Sequence, residues 1–176
     1  MQFSTAVVLP VSISTASAAL FGRDNMGLAP PRAVVSNSSV VEAESISTIL
    51  VWGGSTSVGC AAIQLARAVR LQVVTTASMH NFGLCKAVGA HQVFDRESDS
   101  VVDEIVAALQ GKDLVGTLNA VGVQDAVQAC IDVVVRTKGR KFVATTLPVE
   151  EHVDRKGVEV NFCKCGTSSL AKRLIS

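Results

Sequence analysis

Short apolar runs alternate along this chain with longer stretches in which apolar positions recur every three or four residues. Ser47–Trp52 is a run rich in β-formers. Val58–Val69 follows, with apolar residues at 58, 61, 62, 65, 68 and 69, a helical stripe that leaves Gln64 and Arg67 on the other face. Gln72–Thr76 predicts a second strand, Asn81–Val88 a helix stopped by Gly89, and Gln92–Asp95 a short third strand. Val101–Leu109 predicts a helix capped by Ser98 or Ser100, with Gly111 just past its end. Leu114–Val121 is a fourth strand. Asp125–Val134 carries apolar residues at 126, 127, 130, 131 and 134, again a helical stripe. Lys141–Thr145 and Val158–Phe162 complete six strands, joined by a loop that holds Pro148. Ahead of these lie a short helix over Val11–Phe21 and a loop-like stretch, Gly22–Ser45, with Gly27, Pro30, Pro31 and an Asn-Ser-Ser cluster.

Strands alternating with helices at this spacing predict an α/β fold: a doubly wound, parallel, six-stranded sheet with helices on both faces. Ligands of such sheets bind beyond the carboxyl ends of the strands, where strand order reverses. That places the ends of strands one, two and four at the candidate site.

The junction of the first strand and helix reads Gly53-Gly54-Ser55-Thr56-Ser57-Val58-Gly59. A diphosphate needs backbone N–H groups and a helix N-terminus, and small residues that let the backbone approach. Gly53, Gly54 and Gly59 supply the smallness; Ser55, Thr56 and Ser57 add hydroxyls. The pattern from Gly54 is Gly-x-Thr-x-x-Gly, without the middle glycine of the dinucleotide (Rossmann) fingerprint, and no Gly-Lys-Ser/Thr follows to make a nucleotide-triphosphate loop. From Cys60 to Phe94 there is no aspartate or glutamate. A fold that prefers NAD places an acid about 20 residues past its glycines, on the ribose 2′-hydroxyl. Here that region holds Thr75, Thr76, Ser78, His80 and Asn81, none of which repels a 2′-phosphate. The pocket predicted is of the NADPH type.

Composition narrows the partners. Net charge is +1 and there is no Tyr and one Trp, which argues against nucleic acid and anionic membranes. The five cysteines (60, 85, 130, 163, 165) are odd in number, form no CxxC pair, and sit in apolar runs, as buried free thiols of a reducing, cytoplasmic compartment do. Cys163 and Cys165 could share one side of a strand, yet nothing completes a zinc site, so no metal is expected. The apolar Met1–Phe21 has an Ala16-Ser17-Ala18 sequence like a signal-cleavage site. It lacks a basic start, and Pro10 interrupts it. No unbroken stretch reaches the roughly 18 apolar residues of a membrane helix.

Gly53–Gly59 followed by Ala61-Ala62-Ile63-Gln64-Leu65-Ala66 resembles the medium-chain dehydrogenase/reductase superfamily, in its zinc-independent quinone-reductase and trans-enoyl reductase-like branch. The segments at 9–16, 75–78, 80–82, 89–90, 93–95, 139–143 and 166–168 match in the same order. The resemblance implies an NADPH-dependent oxidoreductase that reduces an activated C=C bond, with a GroES-like substrate domain ahead of the cofactor domain. It divides this chain into a connecting helix and loop (1–45), a cofactor domain (46–168) and a short tail (169–176), a fragment without the GroES-like domain. It places Ser55 to Gly59 on the diphosphate and Ser78 and Asn81 near the 2′-phosphate. His80 stands where relatives carry Lys or Arg, Arg96 where they carry Tyr, and Asn119, ahead of Gly122, where they carry Asp. A neutral His80 would weaken phosphate binding, and Arg96 could restore a fixed charge.

No catalytic residue is legible: there is no Ser-His-Asp, Cys-His or paired-carboxylate arrangement, and hydride transfer needs none. Lys86, His91 and His152 fit solvated surface positions. The competing reading is a non-catalytic dinucleotide-binding or dimerising fragment, with the last strand, 158–162, as its candidate homodimer edge. A methyltransferase of similar fold would want an acid at the end of the second strand, and none is present.

Overall fold

A computed structural model describes residues 8–31, 47–150 and 153–163. The 32–46 part of the long loop, His152, Cys165, the 166–168 motif and the tail lie outside the described residues.

The elements in order are α1 (Val8–Phe21), β1 (Ser47–Trp52), α2 (Ser57–Ala68), β2 (Gln72–Ala77), a 3-10 turn (Met79–Asn81), α3 (Phe82–Ala87), β3 (Gln92–Asp95), α4 (Val101–Ala108), β4 (Asp113–Asn119), α5 (Gln124–Arg136), β5 (Phe142–Thr145) and β6 (Glu159–Phe162). The strands form one sheet in the order β3-β2-β1-β4-β5-β6, and every neighbouring pair is parallel. Strand order reverses between β1 and β4, so the carboxyl ends of those two strands open the crevice that doubly wound sheets use.

Alternation along each strand divides the core into two layers. Ile49, Val51, Val73, Leu118 and Phe142 face α1, α2 and α3, against Leu20, Ala62, Ile63 and Cys85. Leu50, Val74, Val143 and Val160 face α4 and α5, against Ile105, Val127, Ile131 and Val134. Strands buried on both faces need near-continuous apolar sequence, which β1 has from Ile49 to Trp52. Each fully buried Leu or Ile contributes about 1.5–3 kcal/mol relative to exposure.

Helix α1 is held to the sheet by the loop behind it. The Arg140 guanidinium donates to the carbonyls of Met26 (2.6 Å) and Asn25 (3.1 Å) and stacks on the Phe142 ring. Asn161 donates to the Asp24 carbonyl at 2.7 Å. Residues 22–31 are therefore anchored, although they form neither helix nor strand.

The helix expected over 81–88 is present as α3, one residue shorter at each end, and a 3-10 turn precedes it. Ser100 stands at the N-cap of α4, one of the two expected positions, but makes no side-chain capping bond; the hydroxyls of Ser98 and Ser100 both donate to the Glu104 carboxylate, at 2.9 and 2.6 Å. Among the described residues no helix is long and apolar enough to cross a membrane.

Candidate functional site

The turn from β1 into α2 is set by its own sequence and by β2. Thr56 is the N-cap of α2. Its hydroxyl accepts the Gly59 N–H and donates to the Gly53 carbonyl, both at 2.9 Å. That hydroxyl proton is therefore used inside the turn. The signal for this role was in the sequence, a Thr three positions before a helical glycine. Helix geometry leaves the N–H groups of Ser57 and Val58 without an i−4 partner, pointing out of the helix start. Ser57 is exposed and Ser55 half-buried beside them.

The glycines are required by contact. Gly53 has φ +87, the left-handed region, and a Cβ there would strike Val121. A Cβ on Gly54 would strike the Thr75 hydroxyl and come within 3.0 Å of Ile63 Cδ1. A Cβ on Gly59 would strike the Gly53 carbonyl and come within 2.9 Å of Gly54 Cα. At Gly59 the first turn of α2 thus lies directly against the backbone that leaves β1.

The end of β2 divides the residues expected there. Thr76 is fully buried and its hydroxyl accepts the Gly53 N–H at 3.0 Å, so it shapes the turn from behind and has no face toward a ligand. This corrects its expected place at the cofactor. Thr75, equally buried, donates to the Val51 carbonyl at 2.6 Å. Ser78, His80 and Asn81 lie together in the turn that leaves the strand, Ser78 and Asn81 half-buried and His80 exposed. Arg96 joins them from β3: its N–H donates to the Ala77 carbonyl at 3.1 Å. Its guanidinium meets the Glu97 carboxylate at 3.3 Å. Glu97 was not legible as a site residue, because adjacent charges in a loop carry no distinguishing pattern.

Across the crevice, Asn119 ends β4 opposite Trp52 of β1. It is fully buried, and its Oδ1 accepts the N–H groups of Val121 and Gly122, both at 3.0 Å. This fold-back explains why β4 stops at Asn119 while the apolar run continues to Val121. The Asn119 Nδ2 is enclosed without a hydrogen-bond partner among the described residues, as are the hydroxyls of Thr117 and Thr145. Gly122 has φ +82, and a side chain there would strike Leu147.

Between these groups lies a cavity of about 360 Å³. Trp52, Val101, Val121 and Ala126 give it apolar walls, and Arg96, Glu97 and Asp125 line its polar side. A second cavity, about 380 Å³, lies where α1 meets the start of α2, beside Ser12, Ser57 and Cys60.

None of the thiols whose pKa is shifted favours a thiolate. Burial raises the pKa of Cys60, Cys85 and Cys130, and pushes Cys163 up to about 12. Among the described residues no three His, Cys, Asp or Glu side chains are grouped to hold a metal ion. The donors needed for a structural or catalytic zinc are thus not brought together there.

Comparison with known proteins agrees with this geometry. A family model described as "Zinc-binding dehydrogenase" matches residues 57–162. Dehydrogenase azaJ of Aspergillus niger is 39% identical over 172 residues, covering 95% of this chain and 47% of that protein. Trans-enoyl reductase himH of Aspergillus japonicus is 40% identical over 149 residues, covering 85% and 39%. The crystal structure of CurK enoyl reductase superposes with a TM-score of 0.71 at 17% identity, over 99% of this chain and 50% of that one. A quinone oxidoreductase of Pseudomonas syringae pv. Tomato DC3000 gives 0.69 at 20% identity, over 99% and 53%. The chain spans about half the length of the curated relatives it matches.

Proposed function

The chain belongs to the zinc-binding dehydrogenase family, within the medium-chain dehydrogenase/reductase superfamily, and on that premise we propose that it is the NADPH-binding domain of an oxidoreductase that reduces an activated C=C bond. Its sheet and glycine turn are those of a nicotinamide-dinucleotide domain. The observation that carries the finer reading is the carboxyl end of β2. Ser78, His80 and Asn81 gather there with Arg96 beside them, and the span from Cys60 to Phe94 holds no carboxylate. An NAD-type site needs an acid at that point.

The residues present fit the cofactor. Glycine at 53, 54 and 59 lets the turn pack tightly on β2, on Val121 and on itself, and α2 directs its first N–H groups outward. Ser55, Ser57 and Val58 would hold the diphosphate, and Ser78, His80, Asn81 and Arg96 the 2′-phosphate. The apolar cavity behind Trp52 and Val101 suits a flat base. Asn119 and Gly122 shape the β4 edge on which the remainder would lie. When bound, NADPH supplies a hydride, and the protein's part is to orient it and exclude water. The zinc of the family name finds no donor set among the described residues, so no step is drawn through a metal.

The 46–168 span is the proposed cofactor domain, with 1–45 as an approach segment. Among the described residues β6 is an edge strand with no neighbour on one side, and it carries Phe162, 37% exposed, so a second copy is the proposed partner along that edge. Light scattering tests the dimer. Fluorescence titration of the purified chain with NADPH and NADH tests the cofactor: tighter binding of NADPH is expected, and equal or tighter binding of NADH would reject it.

A further inference from the structure

Arg96 is the one lysine or arginine among the described residues that directly follow strands β1 to β5 (53–57, 78–82, 96–98, 120–124 and 146–150). The nearby cations of the β2–β3 half face the other way. Arg67 reaches the Leu71 carbonyl and the His91 ring at the amino ends of β2 and β3. Lys86 lies at the far end of α3. Among the described residues, the fixed positive charge that a dianionic phosphate at the end of β2 would meet is that of Arg96, placed by the backbone bond from Arg96 N–H to Ala77 O.

That charge is already engaged. Glu97 holds the guanidinium at 3.3 Å, with both side chains largely in solvent at 47% and 69% exposure. An exposed pair of this kind is weak and readily exchanged, whereas a guanidinium forms strong charge-assisted bonds with phosphate. Both residues also line the cavity assigned above to the base. We infer that Arg96 and Glu97 form an exchangeable pair: Arg96 leaves the Glu97 carboxylate for the 2′-phosphate of NADPH, and Glu97 opposes that phosphate by repulsion. Arg96 thus sets the preference for the phosphorylated cofactor, and Glu97 limits it. This rests on the dinucleotide reading and goes beyond it by locating discrimination on β3 rather than on the β2 turn.

The test uses 2′,5′-ADP and 5′-ADP as probes, with calorimetry on the full chain and its Arg96→Met and Glu97→Gln variants. Arg96→Met is expected to weaken 2′,5′-ADP about tenfold relative to 5′-ADP, as loss of one charge-assisted contact does, with the urea midpoint of the variant reporting an intact fold. Glu97→Gln keeps the size of the side chain and is expected to tighten 2′,5′-ADP about threefold relative to 5′-ADP, since it removes the competing charge. Equal losses for both probes in Arg96→Met, or no loss, would overturn the exchange and leave discrimination with Ser78, His80 and Asn81. No effect of Glu97→Gln would overturn the competing role of Glu97. If the wild-type chain bound 5′-ADP but favoured it over 2′,5′-ADP, the exchange would fail while the dinucleotide reading stood. If it bound neither probe, nor NADPH, both would fall together.

Discussion

The Thr76 hydroxyl accepts the N–H of Gly53 at 3.0 Å across 23 positions of sequence, so the second strand fixes the turn that ends the first. Thr76→Val keeps the shape and removes the acceptor, leaving a buried N–H unpaired. Such an orphan costs about 1–3 kcal/mol. Urea denaturation should show that loss, and NADPH titration should show weaker binding because the turn is no longer held. An unchanged midpoint would mean that the bond carries no stability.

Gly59→Ala should both destabilise the protein and abolish dinucleotide binding. The added methyl meets the Gly53 carbonyl and Gly54 Cα, two backbone groups that cannot move independently. Overpacking of this kind costs about 1–3 kcal/mol. Gly83 is the matched control, since a Cβ there meets nothing within 4 Å. Gly83→Ala should leave cofactor affinity intact by the same titration.

An acid introduced to reverse cofactor preference belongs at Ser78 rather than Thr76. Aspartate at the buried Thr76 would be desolvated and would also break the turn, so its effect on binding could not be interpreted. Ser78→Asp places the charge at the half-buried exit of β2. Binding of NADPH should weaken about tenfold or more while NADH holds or improves, a specificity change made by repulsion. Parallel losses for the two cofactors would move the 2′-phosphate away from this turn.

His91 gives the fold an acid-sensitive point at the opposite edge of the sheet. Its Nδ1 accepts the Val73 N–H at 2.9 Å, and its Nε2 faces the Arg67 guanidinium at 3.0 Å. Burial first, then Arg67 and Lys112, lower its pKa from the usual value of 6.5. The unfolded chain therefore binds more protons than the folded one in the interval below 6.5. Stability from this group is complete above that value, falls as pH drops through it, and levels off below the folded pKa. His91→Gln should flatten this part of the pH dependence in urea midpoints taken between pH 7.5 and 5.5. An identical slope in the variant would assign the effect elsewhere.

Much of this architecture was legible because its signals are local. Ser47–Trp52 and Gln92–Asp95 appear as strands at the bounds their sequence predicts, since apolar runs flanked by turn residues leave little choice. The glycine turn was legible as a phosphate-type turn for the same reason. What escaped depends on distant partners. Thr75 and Thr76 look alike in sequence, yet one donates to Val51 and the other accepts from Gly53, and only the pairing of β1 with β2 decides this. Asn119 turning back on Val121 and Gly122 shortened β4 against its apolar pattern. The short α3 followed a 3-10 turn because the chain must first leave β2 through Ser78, whose carbonyl accepts the Asn81 N–H at 2.8 Å.

The bond from Arg140 to the Met26 carbonyl closes a loop of 114 residues. The central strand β1 likewise waits for β4, which is made much later in synthesis. A growing chain can form β1, α2 and β2 early, but α1 has no clasp until the segment leading into β5 has emerged. Contacts this far apart bear the full entropy of loop closure before they stabilise anything. Until that clasp forms, Leu20 and Ala16 of α1 have only the earlier-made elements, α2 above all, to pack against. A helix made before the sheet is thus secured only after most of the sheet exists, and that interval is when the chain is most open to aggregation or to capture by a chaperone.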